Sequence, residues 1–495
     1  MPCSFKGDES LSPPRDIENY DYTCRFVVAD RDLITFEGKQ WCKFHLPMEG
    51  KDGSKSEKAD WDREQIEKFN FDFNSRLTQL NSRSSEPLFD ATGVVFPAEI
   101  TITERRVAKM FRFAEAQFLG GLQFHADQGI TEEISFERAS FKGNIDFTYS
   151  QFRSHTNFRH AKFYKQNEGD SPSFSSCKFR AADTIFENAE FHNGARFVAA
   201  EFATRAQFEK AKFWGEAKFS RSTFIGDACF EKATFKDGRA MFDGTVFSAR
   251  LIANNAEFIK VDVDFSDGMS DKPFQYVNFE SSMFDGELNF NNRKFASTTI
   301  FKGCTFHKAP KFFGSVLHED TTFPPEKNFL DRKSADAGRC YRKLKQDMEQ
   351  FRARQEEAMF YALEQESMRA SSNMPRIVKG FSWLYDKSAR YGLSLGRPLI
   401  WIGAVFITSW IFYASVATQT WCIFRSLDRA LVSKAYLFTV EQLVRPFSAW
   451  RMEAVPEWSK GPLWALQLGS TAQALLSLAF FSLFLLALRW RFKRG

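Results

Sequence analysis

The stretch FEKAKFWGEAKFSRSTF, residues 208–224, sets phenylalanine at 208, 213, 219 and 224. Gaps of five, six and five match neither the 3.6-residue period of a helix nor the two-residue period of a strand. The beat runs outward through Phe186, Phe191, Phe197 and Phe202 on one side and Phe230 and Phe235 on the other, with further series over 136–163 and 274–312. An eleven-residue unit thus covers about residues 136–313. That period also suits a right-handed coiled coil. A helical seam, however, needs about three or four apolar positions per unit, and Gly, Ser, Asn and Thr are spread through this one against helix propensity.

Two residues before each Phe stands a small residue, here Ala206, Ala211, Ala217 and Ser222. Residues two apart share a face of an extended segment, and the Lys, Glu, Arg and Asp beside them point outward. Each half-unit reads as a short extended face plus a turn, with one large and one small side chain inward. Stacked faces put Phe on Phe in an interior column, each ring burying about 150–250 Å². That is a solenoid. The chain holds 58 Phe in 495 residues but only 11 Tyr and 11 Trp, so Phe itself is selected rather than aromatics in general.

The A-x-F pattern resembles the pentapeptide-repeat family. The resemblance implies a mainly β fold, a right-handed quadrilateral β-helix, over residues 93–330. Alternating gaps of five and six imply 22 residues per coil and roughly eight coils stacked at about 4.8 Å. The intervals 163–174 and 247–274, where the beat lapses, are expected to be loops or bulges. Some members of the family mimic duplex DNA through an acidic surface. Here Lys/Arg and Asp/Glu nearly balance along 136–313 and the whole chain carries +5, so neither DNA mimicry nor nucleic-acid binding is expected.

Both ends of an open β-helix need cover. Upstream, GVVFPAEITIT (93–103) reads as an extended cap. Downstream, residues 331–372 read as a helical cap with Tyr341, Leu344, Met348 and Phe351 on one stripe and Met359, Phe360 and Leu363 on another. Its YRKLKQDME and EEAMFYALE resemble the helical element after the repeats of membrane-bound pentapeptide-repeat proteins. In the N-terminal region, 1–92, CKFHLP resembles a short Cys-x-x-His element ahead of such repeats. Cys3, Cys24, Cys42 and His45 together offer four ligands for a structural zinc. The other cysteines are scattered, which points to a reducing compartment, and no cleavable signal peptide is read in the first thirty residues.

Residues 398–418 carry no charge and are about long enough to cross a bilayer core of roughly 30 Å. A second such run has its core at 472–488, so a two-helix transmembrane hairpin with an intervening loop is expected over 398–495. YDKSARYGLSLGRPLIW and LALRWRF resemble the start of the first span and the exit of the second in the same membrane-bound proteins. Lys387, Arg390 and Arg397 flank the first span, and Arg489, Arg491, Lys493 and Arg494 follow the second. The positive-inside rule then predicts that both termini face the cytoplasm, and the expected location is the inner (cytoplasmic) membrane of a bacterium. Residues 373–397, basic and amphipathic with Trp383, Tyr385 and Tyr391, are expected to lie along the interface. Between the spans, 426–450 carries apolar residues at helical intervals. Gln467, Ser470, Gln473 and Ser477 fall on one face of the second span, which predicts either hydrogen bonding within an oligomer or a pore lining.

No phosphate loop, HExxH, GxSxG or other catalytic constellation occurs, so an enzyme is not expected. The expected function is a membrane-anchored scaffold that presents the rod to a protein partner and forms a homo-oligomer. The rival expectation is an oligomeric pore gated by the cytoplasmic part.

Overall fold

The computed structural model describes residues 3–13, 21–26, 32–83, 88–103, 110–127, 129–164, 171–180, 183–267, 272–370, 374–418 and 429–492. The chain divides into two compact units, one running to Asp347 and one from Met348 onward.

The first unit is a β-solenoid of about nine turns of parallel strands. One coil shows how the repeat builds it. Ala206–Gln207, Lys212–Trp214, Ala217–Lys218 and Thr223–Phe224 form its four faces, and each pairs in parallel with the matching strand of the next coil. Lys212 lies opposite Glu190, 22 residues back, as the doubled eleven-residue unit requires. The five-residue gaps hold a tight turn: Ala211 N–H donates to Phe208 O at 3.1 Å and Ser222 N–H to Phe219 O at 3.1 Å. The residue before each small one, Lys210 or Arg221, sits at φ 57° or 59°. The six-residue gap is the wider corner. Left-handed backbone disfavours non-glycine residues by roughly 1–2 kcal/mol each, so the stacked ladders above and below must hold these corners in place.

All ten repeat-core phenylalanines from Phe186 to Phe235 are buried, in four ring columns. Phe208 stacks on Phe186 at 4.9 Å and 2°, Phe213 on Phe191 at 4.8 Å, Phe219 on Phe197 at 4.9 Å and Phe224 on Phe202 at 4.6 Å. Neighbouring columns meet edge to face, as Phe208 and Phe219 do at 5.5 Å and 89°. The spacing of parallel strands, about 4.7–4.9 Å, coincides with the separation at which offset rings attract. Backbone ladder and ring column therefore stabilise the same repeat distance. Where the small position is polar it bonds to a carbonyl one coil away: Thr245 donates to Phe219 O at 2.7 Å, Ser282 to Ala253 O at 2.6 Å and Cys304 to Phe279 O at 2.9 Å.

Two intervals differ from the sequence expectation. The solenoid begins at Leu88–Asp90, which pairs with Met110–Arg112, so 93–103 is not a cap but supplies strands Val95–Phe96 and Ile100–Thr103 of the first coil. Ile102, opposite Phe124, takes a Phe place there, and Ile100 and Leu122 take the small place two residues before it. The interval 247–274 is likewise not a loop. Arg250–Ile252 and Glu257–Asp264 continue the ladders, with Leu251, Val261 and Val263 inward; only 268–271 lie outside the described residues, as do 165–170 of the other interval.

The caps also differ. Over the first coils lies helix α1, Arg63–Arg83, which the sequence reading missed although Phe69 and Phe73 stand at helical spacing. Their rings meet Phe96 at 6.0 and 4.9 Å. At the far end helix α2, Ala337–Gln350, covers the last coil. Tyr341 meets the Phe329 ring edge to face at 6.0 Å and donates to Asp331 O at 2.9 Å. The expected cap of 331–372 is thus divided, because α3, Arg354–Ala370, belongs to the second unit.

The second unit contains α3, then α4 (Arg376–Ala389), α5 (Gly396–Thr418), α6 (Arg429–Val444) and α7 (Leu463–Phe492). Two helices are long and apolar enough to cross a membrane, over Gly396–Ala417 and Leu463–Arg489. They are not core helices, since only 17% and 22% of their most apolar windows are buried. Ile400, Ile407, Leu468, Leu475 and Phe481 all face outward. On α4, Ile377, Val378, Phe381 and Leu384 form an uncovered apolar face. Of the expected basic flank, Lys493 and Arg494 lie outside the described residues, as do 426–428 of the helical stretch between the spans.

Candidate metal centre and the polar core of the helical unit

Cys3, Cys24, Cys42 and His45 converge from three separate segments at the start of the first unit. Their ligand atoms all lie within 4.8 Å of one another. Cys24 Sγ and Cys42 Sγ are 3.8 Å apart, Cys42 Sγ lies 3.1 Å from His45 Nδ1, and Cys3 Sγ lies 3.9 Å from that nitrogen. The segment carrying Cys42 and His45 follows an antiparallel hairpin, Ile34–Phe36 with Lys39–Trp41, which brings the Cys-x-x-His turn back against the solenoid. The turn is closed by His45 N–H and Leu46 N–H donating to Cys42 O at 3.1 and 3.0 Å.

The surroundings fix these side chains. His45 Nε2 lies 2.9 Å from Thr92 O, a carbonyl of the first coil, which leaves Nδ1 facing the sulfurs. Phe5 stacks on the imidazole at 4.1 Å and 7°, and Phe26 meets it edge-on at 5.6 Å. Burial favours a neutral imidazole, but the hydrogen bonds to Cys3 and Cys42 outweigh it and push His45 up to about 9. The bond from Cys24 pulls the Cys3 thiol far below its ordinary value, and the same bond drives Cys24 far above. Close by, Lys58 is fully buried and donates to Lys43 O at 2.7 Å and Phe44 O at 3.3 Å, and burial holds its amine well below the usual range.

In the helical unit the expected polar face on α7 is divided. Ser470 and Gln473 are buried, while Gln467 and Ser477 are half-buried. Ser470 Oγ donates to Gln442 Oε1 of α6 at 2.6 Å. Gln473 accepts from Tyr413 of α5 at 3.0 Å and donates to Thr439 O of α6 at 3.0 Å. Both polar groups are therefore satisfied within one chain by α5 and α6, and neither an oligomer contact nor a pore is needed to explain them. Sequence spacing pointed to the α7 residues but not to Tyr413, Thr439 and Gln442, whose roles depend on how three helices pack. Replacing Gln473 by Leu takes the acceptor from the Tyr413 hydroxyl and removes the side-chain bond that ties α7 to the Thr439 carbonyl. The expected cost is about 1–2 kcal/mol, read as a lower unfolding midpoint in detergent.

At one end of the same unit Asp386 of α4, itself buried, lies 3.2 Å from Arg369 Nη2 of α3 and 3.7 Å from Arg397 Nη1 of α5. Arg397 also donates to Asp386 O at 2.7 Å, and Arg369 to Tyr391 Oη at 3.2 Å. These contacts fix α4 against its neighbours and were not legible in the sequence. A second such residue is Arg293, fully buried in the solenoid. It donates to Phe265 O and Phe242 O, faces the Phe274 ring at 4.7 Å and lies 3.9 Å from Asp267. Burial lowers its guanidinium to about 10.

No protein-family model, curated protein or solved structure matches this chain.

Proposed function

We propose that this chain is a membrane-anchored, non-enzymatic scaffold of pentapeptide-repeat type, with the β-solenoid held on the cytoplasmic side of an inner membrane. One observation carries the reading. The two long helices turn apolar side chains outward and bond their polar ones inward, the reverse of what water favours and what hydrocarbon requires. Trp383 and Trp401 near the start of α5, and Trp450 before α7 with Trp464 at its start, are exposed, as expected of rings at two membrane interfaces. The uncovered apolar face of α4 suits a helix lying along one of them. The solenoid, with its inward positions filled and its surface of mixed charge, is a rigid docking rod for a protein partner rather than a substrate site. Self-association of the spans is part of this reading.

Membrane fractionation tests the anchor. The chain is expected to stay in the pellet after alkaline extraction. Leu475→Arg, in the middle of α7, is expected to disfavour insertion by about 2.5–3.5 kcal/mol. A chain found in the soluble fraction, and indifferent to that substitution, overturns the anchor. The pore reading retains only Gln467 and Ser477 of its four residues. Ion flux through proteoliposomes at any oligomeric state would revive it.

A further inference from the structure

The Cys/His cluster carries an inference that does not depend on the membrane. We propose that Cys3, Cys24, Cys42 and His45 bind one zinc ion, and that this ion latches the N-terminal segment over the open end of the solenoid. Three thiolates and one imidazole are a donor set for tetrahedral zinc, and a Zn–S length of about 2.3 Å sets adjacent thiolates roughly 3.8 Å apart. The Cys24–Cys42 separation is 3.8 Å. That is far from the ~2.05 Å of a disulfide, and both cysteines are free thiols. Soft sulfur donors exclude calcium and magnesium, and the affinity order places zinc above ferrous iron. The contact of His45 Nε2 with Thr92 O is the outer-shell arrangement that orients a ligating histidine.

The latch follows from what the ligands join. Cys3 and Cys24 belong to a strip that crosses the first coils. Ser4 N–H donates to Gln40 O at 2.7 Å and Gly7 N–H to Tyr22 O at 2.7 Å. Asp8 pairs with Arg138, and Ser12 N–H donates to Glu137 at 3.1 Å. Phe5 lies so close over Gly93 of the first coil that a Cβ there would come within 2.0 Å of its ring. Cys42 and His45 belong to the turn whose Phe44 O accepts from Val95 N–H at 2.9 Å. An ion shared by these segments closes the strip, the turn and the first coil into one cap, and so covers strand edges that otherwise invite another chain.

The full chain, purified in detergent under reducing conditions, is expected to carry about one zinc by elemental mass spectrometry. Cys42→Ser with His45→Gln is expected to lose it, while Cys340→Ser keeps it. Should the double variant fail to fold, the wild-type chain stripped with a chelator and titrated with Co²⁺ provides the readout. Thiolate charge-transfer bands and a tetrahedral cobalt spectrum support the site. Stripping is also expected to speed tryptic cleavage after Lys6 and Arg25 by about tenfold while the solenoid stays intact. A folded chain without zinc, stoichiometric iron in its place, a Cys24–Cys42 disulfide in the unreduced mass, or an octahedral cobalt spectrum overturns the site. Unchanged proteolysis after loss of the ion overturns the latch.

Discussion

Phe219→Ala is expected to destabilise the solenoid by about 3–5 kcal/mol, the range for emptying a buried aromatic site. The ring is fully buried. It stacks on Phe197 and Phe242, both at 4.9 Å and 2°, and meets the edges of Phe208 and Phe230 at 5.5 Å. Alanine leaves a void bounded by backbone ladders whose spacing cannot contract, so little relaxation is available. Phe219→Tyr is the sharper test. It conserves the ring and adds one hydroxyl to a column with no acceptor beyond carbonyls already in the ladder, for a cost of about 1–3 kcal/mol. Denaturant unfolding with the wild-type slope checks both. A tyrosine variant as stable as wild type would show that water reaches the column, and the scarcity of Tyr would then need a cause other than burial of its hydroxyl.

Gly194→Ala is expected to cost about 3 kcal/mol or more. Gly194 sits at φ 70°, and a Cβ there would lie 2.0 Å from Glu216 O and 2.7 Å from Glu216 N in the next coil. That same carbonyl accepts from Ala195 N–H at 2.9 Å. Relieving the clash means opening the coils by about an ångström, which breaks the ladder at that corner, in addition to roughly 1–2 kcal/mol for left-handed backbone. Because each coil meets only its neighbours, the loss is local to that corner. Hydrogen exchange should show faster opening of the coils around 190–220 and unchanged protection near α2. Uniform protection throughout would mean that the coils are not coupled by this close contact.

The Phe beat was readable because a solenoid is nearly one-dimensional. Phe208, Phe213, Phe219 and Phe224 each take their place from residues one turn away in the chain, and the same small step recurs in every coil. Legibility failed where the inward places are held by other apolar residues. Ile102 takes a Phe place in the first coils, and within 247–274 Leu251 and Val263 stand where the coil below has the small Ala228 and Ala240. There the register is set by pairing with the coil below, which no local pattern displays. Helix α1 was missed for a related reason. Its two inward rings, Phe69 and Phe73, read as helical only once they are seen against Phe96.

By itself the sequence determined the solenoid, its 22-residue coil and two apolar helices, because these depend on composition and spacing along the chain. It also supplied the four candidate metal ligands as residue types. Only the tertiary structure decided that Cys3, Cys24, Cys42 and His45 meet within 4.8 Å. Likewise, only packing decided that Ser470 and Gln473 bond to Gln442, Tyr413 and Thr439. Periodicity is carried by neighbours in sequence, whereas a coordination site or a buried polar pair is made by segments far apart. Which segments meet follows from the burial of everything between them.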